Sequence, residues 1–225
     1  MSDKGKRSIA SSRARVLIAD DHVLVAEALC KLLSRDFEIV AMVHDGRKLI
    51  EAATKLLPDV ILADINMPVL NGLRAAERIK RQLPNIKILC VTVASEPEVI
   101  EEALKVGLDG YVIKTCAATE LVIAIRLALD GKCYFPSSRV QGEPSANVTA
   151  ASASRSLSGL TDRQLDILQL LAEGRSMKEA AGVLNLTTRT IAFHKYRAMR
   201  RLNLRNDSEV VQYAVQHHIV ATDNR

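Results

Sequence analysis

Five short apolar runs alternate with five helical patterns along the first 135 residues, and this alternation restricts the fold more than any other feature of the chain. The runs are rich in β-branched and aliphatic residues, which is typical of strands buried on both faces. Repeated strand–helix units predict an α/β domain, with a doubly wound five-stranded parallel sheet covered by helices on both faces. The predicted strands are residues 16–19, 37–43, 60–63, 86–93 and 111–113.

The composition changes after residue 135. Residues 136–156 are rich in Ser, Ala, Pro and Gly and lack apolar periodicity, which predicts a flexible linker. From residue 157 the patterns are only helical, with capping boxes at Thr161 and Ser176 and a third cap at Thr187 or Thr188. Two short helices before a longer basic helix predict a small all-α helix-turn-helix domain. The predicted division is a tail (1–13), an α/β domain (14–135), a linker (136–156) and the helical domain (157–225).

The formal charge of +5 is concentrated in the helical domain. Residues 1–130 carry 18 basic and 18 acidic side chains, whereas residues 155–225 carry 11 basic and 7 acidic ones. A basic domain beside a neutral one indicates a polyanionic partner for the former. No apolar run approaches the roughly 20 residues that cross a bilayer, and the four cysteines lack metal-ligand spacing. We therefore expect a cytoplasmic protein that has no membrane partner.

Three carboxylates are predicted to meet at one edge of the sheet. The first strand ends in Asp20 and Asp21, and the third ends in Asp64. The carboxyl ends of parallel strands share one edge of the sheet, where ligands bind. Three adjacent anions repel one another, so such a cluster favours a hard cation such as Mg²⁺. One of the carboxylates can then act as a nucleophile toward phosphorus and form an aspartyl phosphate.

Two further side chains complete a phosphoryl site at this edge. Thr92 ends the fourth strand and can donate a hydroxyl hydrogen bond, while Lys114 follows the fifth strand and supplies a positive charge. Each of these residues alone is ordinary, since an acid can cap a helix and a lysine can face water. Their coincidence at the ends of four strands favours Asp64 as a phosphoryl acceptor.

Residues 14–135 resemble a response-regulator receiver domain. The resemblance rests on Asp20-Asp21, Asp64 in DINMPVLNG, Thr92 in VTVAS and Lys114 in GLDGYVIK. It implies a flavodoxin-like fold and phosphoryl transfer from a sensor histidine kinase to Asp64. It also implies that Mg²⁺ is held by Asp21, Asp64 and the backbone carbonyl of Asn66, with Asp20 acting mainly through water. Tyr111 matches the switch aromatic of the family, which turns inward with Thr92 and alters the surface formed by the fourth helix, fifth strand and fifth helix.

A basic helix dominates the second domain. Residues 187–205 contain six Lys or Arg side chains and no acid, which is an electrostatic footprint for phosphate backbones. Ile191, Ala198 and Leu202 form its predicted core stripe. Phe193 and Tyr196 lie among the charges instead.

The second domain resembles the LuxR-type helix-turn-helix of NarL/FixJ-type regulators, from LTDRQLDILQLLAEGRSMKEAAGVLNL through TTRTIAFHKYRAMRRLNL. The resemblance implies base-edge contacts from the middle of the helix and phosphate contacts around it. It places dimerisation on DNA in the last helix, predicted over residues 208–217. The implied base-reading residues are Ala192, Phe193 and Tyr196, and the implied backbone contacts are Thr188, Arg189, His194, Lys195 and Arg200.

These features together predict a two-component transcriptional regulator that is not an enzyme. Its expected partners are promoter DNA, a sensor histidine kinase and a second copy of the chain joined in a phosphorylation-dependent homodimer. One alternative is an Mg²⁺-dependent phosphohydrolase with an Asp nucleophile, but the second acid that it needs is replaced by Asn66. Another is a regulator that works without phosphorylation.

Overall fold

The computed structural model describes residues 13–93, 97–115, 118–135 and 159–220. Its amino-terminal part is a five-stranded parallel sheet, as predicted, and the strands lie in the order β2-β1-β3-β4-β5. The strands are β1 (Arg15–Ala19), β2 (Glu38–Val43), β3 (Val60–Ala63), β4 (Lys87–Thr92) and β5 (Gly110–Ile113). The helices between and after them are α1 (Val23–Leu33), α2 (Gly46–Leu56), α3 (Gly72–Gln82), α4 (Pro97–Val106) and α5 (Ala118–Leu129).

The sheet is buried on both faces, which explains the unbroken apolar runs. Alternate residues of β3 point to opposite sides, so that Ile61 and Ala63 join one core and Val60 and Leu62 join the other. The first core includes residues of α2, α3 and α4, and the second includes residues of α1 and α5. This arrangement is the expected three-layer fold.

The strand register brings the predicted site residues together. Ala19 of β1 pairs with Ala63 of β3, so the next residues, Asp20 and Asp64, lie side by side. The backbone N–H of Asp64 donates to the Ala19 carbonyl at 2.8 Å. On the other side, the Lys114 N–H donates to the Thr92 carbonyl at 2.8 Å, which extends the β4–β5 pairing.

Gly46 and Gly72 allow the loop after Asp64 to pack tightly. A Cβ on Gly72 would lie 1.9 Å from the Asp64 carbonyl oxygen, and one on Gly46 would lie 2.0 Å from the Leu70 carbonyl oxygen. Both distances are impossible for a side chain, so these positions require glycine for close backbone approach. The loop from Ile65 to Asn71 is therefore held between the start of α2 and the start of α3.

The carboxyl-terminal part consists of helices in the described residues, as predicted: α6 (Asp162–Ala172), α7 (Met177–Leu184), α8 (Thr188–Leu202) and α9 (Asp207–Gln216). The capping boxes at Thr161 and Ser176 are both formed, with Gln164 and Glu179 as their partners. Thr187 is the cap of α8, which decides between the two candidates. Helix α9 begins one residue earlier than predicted, after an Asn206 cap.

The predicted tail lies outside the described residues except for Arg13, and the predicted linker lies wholly outside them. Within the part of the chain that the structure describes, no helix is long and apolar enough to cross a membrane.

Candidate functional site

Asp20, Asp64 and Lys114 form a buried charge cluster at the carboxyl edge of the sheet. The Nζ of Lys114 lies 2.8 Å from an oxygen of Asp20 and 2.8 Å from an oxygen of Asp64. The two carboxylates are almost fully buried, with 1% and 4% of their residue surfaces exposed. The predicted convergence of these residues is present, with the ammonium group bridging two anions.

A third carboxylate and a histidine adjoin this cluster. Ligand atoms of Asp20, Asp21, His22 and Asp64 all lie within 4.8 Å of one another. The Oδ1 atom of Asp21 is buried without a hydrogen-bond partner. Nδ1 of His22 approaches it to 2.8 Å, but without hydrogen-bond geometry. A buried carboxylate oxygen that lacks a donor is suited to a cation, so the donor set fits Mg²⁺.

His22 directly follows the Asp pair but was not among the site residues predicted from the sequence. Its backbone N–H donates to Asp20 Oδ1 at 3.0 Å, and it is the residue before the first turn of α1. Its ring is largely exposed. We assign it to the rim of the site, since the predicted cation is satisfied by oxygen ligands and water.

Burial raises the pKa of Asp64, and the neighbouring Asp20 adds to this effect. The hydrogen bond and charge of Lys114, together with the backbone N–H of Asn66, act in the opposite direction. For Lys114 itself, burial acts to lower the pKa, but the hydrogen bonds and charges of Asp20 and Asp64 outweigh it and raise the pKa. The ammonium group therefore stays charged at neutral pH and holds the carboxylates in place.

The raised pKa of Asp64 has a measurable consequence for stability. Protonation of this carboxyl favours the folded state, so its contribution to stability falls as pH rises between the unfolded and folded pKa values. Without divalent cations, Asp64→Asn should therefore raise the free energy of unfolding by ~0.5–2 kcal/mol near neutral pH. The gain should vanish below about pH 4, where the carboxyl is protonated in both states. Urea unfolding at both pH values measures it, and a variant less stable than wild type near neutral pH would contradict it.

Thr92 and Tyr111 are both fully buried. The Tyr111 ring belongs to the core on the α3 and α4 side of the sheet, and its backbone N–H donates to the Tyr134 carbonyl at 2.7 Å. Position on β5 alone suggests a half-buried tyrosine, whereas the ring lies wholly inside. The Tyr111 ring is therefore part of the core rather than of the surface in this structure.

The loop that follows Asp64 contacts the helical domain. The backbone N–H of Asn71 donates to Gln169 Oε1 at 2.9 Å, and Gln169 Nε2 donates to the Met67 carbonyl at 3.1 Å. The backbone N–H of Val69 donates to Glu173 Oε1 at 2.9 Å. Val69 also packs against the core formed by α6, α7 and α8, in a left-handed conformation with φ of 70°. Helix α6 therefore binds the backbone of the loop that follows the candidate acceptor.

Buried ion pairs reinforce this interface. Asp166 Oδ1 on α6 accepts from Arg74 at 2.9 Å and from Arg78 at 2.7 Å, both on α3. Asp166 and Gln169 are 4% and 1% exposed. This interface was not predicted from the sequence, although Asp166 and Gln169 are the polar residues of the otherwise apolar stretch 165–172 and gave a signal for it.

Helix α8 presents the residues predicted to contact DNA. Ile191 and Ala198 are fully buried, which confirms the core stripe, while Phe193 and Tyr196 are 59% and 56% exposed. The Phe193 ring packs edge-on against His194, with centroids 5.4 Å apart. Thr188, Arg189 and Arg200 are exposed, and Ala192 and His194 are half-buried. Phe193, Tyr196, Arg189 and Arg200 are exposed while the domains are docked, so this surface of α8 stays open.

Lys195 is placed differently from the other predicted contacts. Its side chain is buried, and its Nζ lies 2.6 Å from an oxygen of Asp207 in the first turn of α9. The pair joins α8 to α9 in the described structure. The geometry favours a role in holding these helices together over a direct contact with a DNA phosphate.

Comparison with known families agrees with both halves of this description. Residues 16–126 match the family model for the response regulator receiver domain, and residues 158–214 match that for bacterial regulatory proteins of the luxR family. The chain belongs to the DNA-binding response regulators that combine these two domains.

Among its relatives, the response regulator protein VraR of Staphylococcus saprophyticus is 32% identical over 210 residues, covering 92% of this chain and 98% of that one. VraR of Staphylococcus aureus is 32% identical over 212 residues, with the same coverage of both chains. A structure of the RcsB response regulator of Salmonella typhimurium is 27% identical, covers 92% of this chain and 98% of its own, and has a TM-score of 0.57. A complex of the response regulator RcsB with DNA is 28% identical, covers 90% and 98%, and has a TM-score of 0.53.

Proposed function

We propose that this protein is a transcriptional regulator controlled by phosphoryl transfer from a sensor histidine kinase to Asp64. The observation that carries the proposal is the Lys114 ammonium bridging buried Asp20 and Asp64 beside a third carboxylate, Asp21. An oxygen of Asp64 attacks phosphorus while the bond from phosphorus to the histidine nitrogen breaks, and that nitrogen keeps the bonding electrons. Lys114 and Thr92 then balance the charge on the phosphoryl oxygens.

Mg²⁺ is the cofactor that fits this donor set. Asp20, Asp21, Asp64 and the backbone carbonyl of Asn66 would hold it, Asp20 mainly through water. When bound, the ion supplies positive charge that offsets the repulsion between the carboxylates and the incoming phosphoryl group. The buried Asp21 oxygen without a donor supports this assignment.

The phosphorylated protein is proposed to bind promoter DNA as a homodimer. The exposed apolar side chains Leu104 on α4 and Ile123 on α5, and Val211 on α9, support partner contacts at the surfaces named by the family resemblance. Apolar contacts from Phe193, Tyr196 and Ala192 would read base edges, with a contribution from DNA shape. The backbone contacts are assigned to Thr188, Arg189, His194 and Arg200, and Lys195 is assigned to positioning α8.

Two variants on α8 test the DNA-binding surface. Arg200→Ala should weaken binding to all duplexes alike and lower the slope of log affinity against log salt by about one. Tyr196→Ala should reduce the difference in affinity between selected and random duplexes, with little change in the slope of log affinity against log salt. Fluorescence anisotropy on duplexes selected from a random pool measures both.

The matched control is Arg35→Ala, because Arg35 is an exposed arginine after α1 in the other domain. The assignment of α8 would be wrong if this control lost as much affinity as Arg200→Ala.

A phosphohydrolase finds less support, because Asn66 stands where a second acid is needed and the family consists of DNA-binding regulators. A regulator that acts without phosphorylation differs in one respect. If the protein works in this way, wild type and Asp64→Asn should bind DNA with equal affinity in the presence of a phosphodonor.

A further inference from the structure

A cleft of about 490 Å³ separates helices α2 and α3 of the receiver domain from helix α6 of the DNA-binding domain. Its size lies within the range of small-molecule binding sites. The lining is strongly basic, with four arginines from three helices and two domains against two carboxylates. These residues are Arg47, Arg78, Arg81, Arg163, Asp162 and Asp166.

The partners of the lining arginines occupy only part of their hydrogen-bonding capacity. Arg47 donates to the Val183 carbonyl through one nitrogen. Arg78 donates to Asp166 at 2.7 Å, and Arg81 donates to Asp162 at 3.1 Å, each through one nitrogen. Arg163 makes no hydrogen bond or ion pair with any residue that the structure describes. Since a guanidinium group carries five N–H donors in a planar fork, the lining can accept several further oxygen atoms.

A second observation shows that the positive charge beside the cleft is not fully compensated. Arg74, one turn before Arg78 on α3, is 7% exposed, and its Nη1 is buried without a hydrogen-bond partner. Arg74 and Arg78 share a single oxygen of Asp166. Burial lowers the pKa of Arg74; the charges of Asp166 and Asp162 act to raise it, and the charge of Arg78 acts to lower it. Arg74 also donates to the Asp162 carbonyl at 3.0 Å, so one carboxylate and one backbone carbonyl serve these two guanidinium groups beside the cleft.

We propose that this cleft binds a small, phosphate-rich anion that carries at least two phosphoryl groups. Arginine forks match the geometry of phosphate oxygens and bind them in pairs. None of the residues that line the cleft is aromatic, so the structure favours recognition of the polyphosphate part over stacking on a base. Because Arg81 belongs to the receiver domain and Arg163 to the DNA-binding domain, the anion joins the two domains and stabilises their docked arrangement.

A DNA backbone is the less suitable occupant. Asp162 and Asp166 lie in the lining, and the cleft is formed by α6 rather than by the exposed surface of α8. A compact anion can contact arginines of both domains through the N–H groups that the two carboxylates do not occupy. Binding of a DNA phosphate in the cleft is therefore the alternative that the experiment distinguishes.

Calorimetric titration of the full-length protein with inorganic triphosphate tests the proposal. EDTA is included so that no divalent cation draws the anion to the carboxylate site. We expect one site, weakened tenfold or more by Arg81→Gln combined with Arg163→Gln. Arg81→Gln alone should weaken binding to a smaller degree, and because this side chain is half-exposed the variant tests the site with little effect on folding. Circular dichroism checks that each variant is folded.

Two control variants separate this site from general charge effects. Arg35→Gln on the opposite face of the sheet and Arg200→Gln on α8 should leave triphosphate affinity unchanged. Nucleoside triphosphate and inorganic triphosphate should bind with similar affinity, whereas orthophosphate should bind at least tenfold more weakly.

The proposal fails if triphosphate gives no binding heat at millimolar concentration, or if the cleft variants bind it as wild type does. It also fails if Arg200→Gln reduces triphosphate affinity as much as the cleft double variant. Loss of DNA affinity in the cleft double variant without any triphosphate present would identify the cleft as a DNA contact instead.

Discussion

The Asp64→Asn protein is expected to take up no phosphoryl group from a histidine kinase or from a small acyl phosphate with Mg²⁺. A carboxamide has no anionic oxygen to attack phosphorus, and the neighbouring Asp20 and Asp21 would remain as ligands of the cation. Wild type should gain one phosphoryl group in an intact-mass measurement. Its dimer fraction in light scattering and its affinity for a selected duplex should both increase.

The matched control is Asp130→Asn, which changes an exposed acid at the end of α5 in the same way. This variant should be phosphorylated like wild type. Phosphate recovered on the Asp64→Asn protein would place the acceptor elsewhere. Phosphorylation that occurs only on Asp64 but changes neither dimerisation nor DNA affinity would favour the regulator that works without it.

Asp166→Asn is expected to separate the two domains. The substitution leaves the guanidinium groups of Arg74 and Arg78 without their shared anion, and breaking a buried ion pair costs about 3–5 kcal/mol. Separation of the domains returns both arginines to water, and its free-energy cost is lower than that of keeping them buried without an anion. The amide hydrogens of Val69 and Asn71 should then lose protection, because their acceptors, Glu173 and Gln169, belong to the DNA-binding domain. Hydrogen exchange with mass spectrometry measures this loss.

Asp162→Asn provides the comparison, because Asp162 belongs to the same helix but forms an exposed pair with Arg81. An exposed pair contributes roughly 0–1 kcal/mol, so protection of the loop should be nearly unchanged. Equal exchange in Asp166→Asn and wild type would show that the apolar contacts around Val69 hold the domains together without the ion pairs.

The local features of the fold could be predicted because they depend on neighbouring residues. Capping boxes at Thr161 and Ser176 are complete within four residues, and the apolar runs require a sheet buried on both faces. The charge cluster also followed from sequence, because the carboxyl ends of parallel strands necessarily share an edge. The helix and strand ends that differed did so by a residue or two, as at α9 and β5.

The features that escaped prediction depend on contacts distant in sequence. Asp166 pairs with Arg74 and Arg78 on a helix about 90 residues earlier, and no periodic pattern links them. Lys195 was predicted to contact a DNA phosphate because of its charge, although it lies four residues after Ile191 and three before Ala198, on the buried face of α8. Its partner, Asp207, comes from α9. The cleft arginines come from α2, α3 and α6, so the sequence alone does not show that they share one site.

The left-handed conformation of Val69 affects the balance between docked and separated domains. Among the positive-φ residues that the structure describes, Val69 is the only β-branched one, and such backbone strain costs on the order of 1–3 kcal/mol. Glu173 and the core of the DNA-binding domain help to hold it in this conformation. A backbone hydrogen bond within the loop also restrains Val69, since the Leu70 N–H donates to the Pro68 carbonyl at 2.8 Å, so separation of the domains removes only part of this restraint. The docked form thus contains a strained backbone conformation at Val69, five residues after the candidate acceptor Asp64.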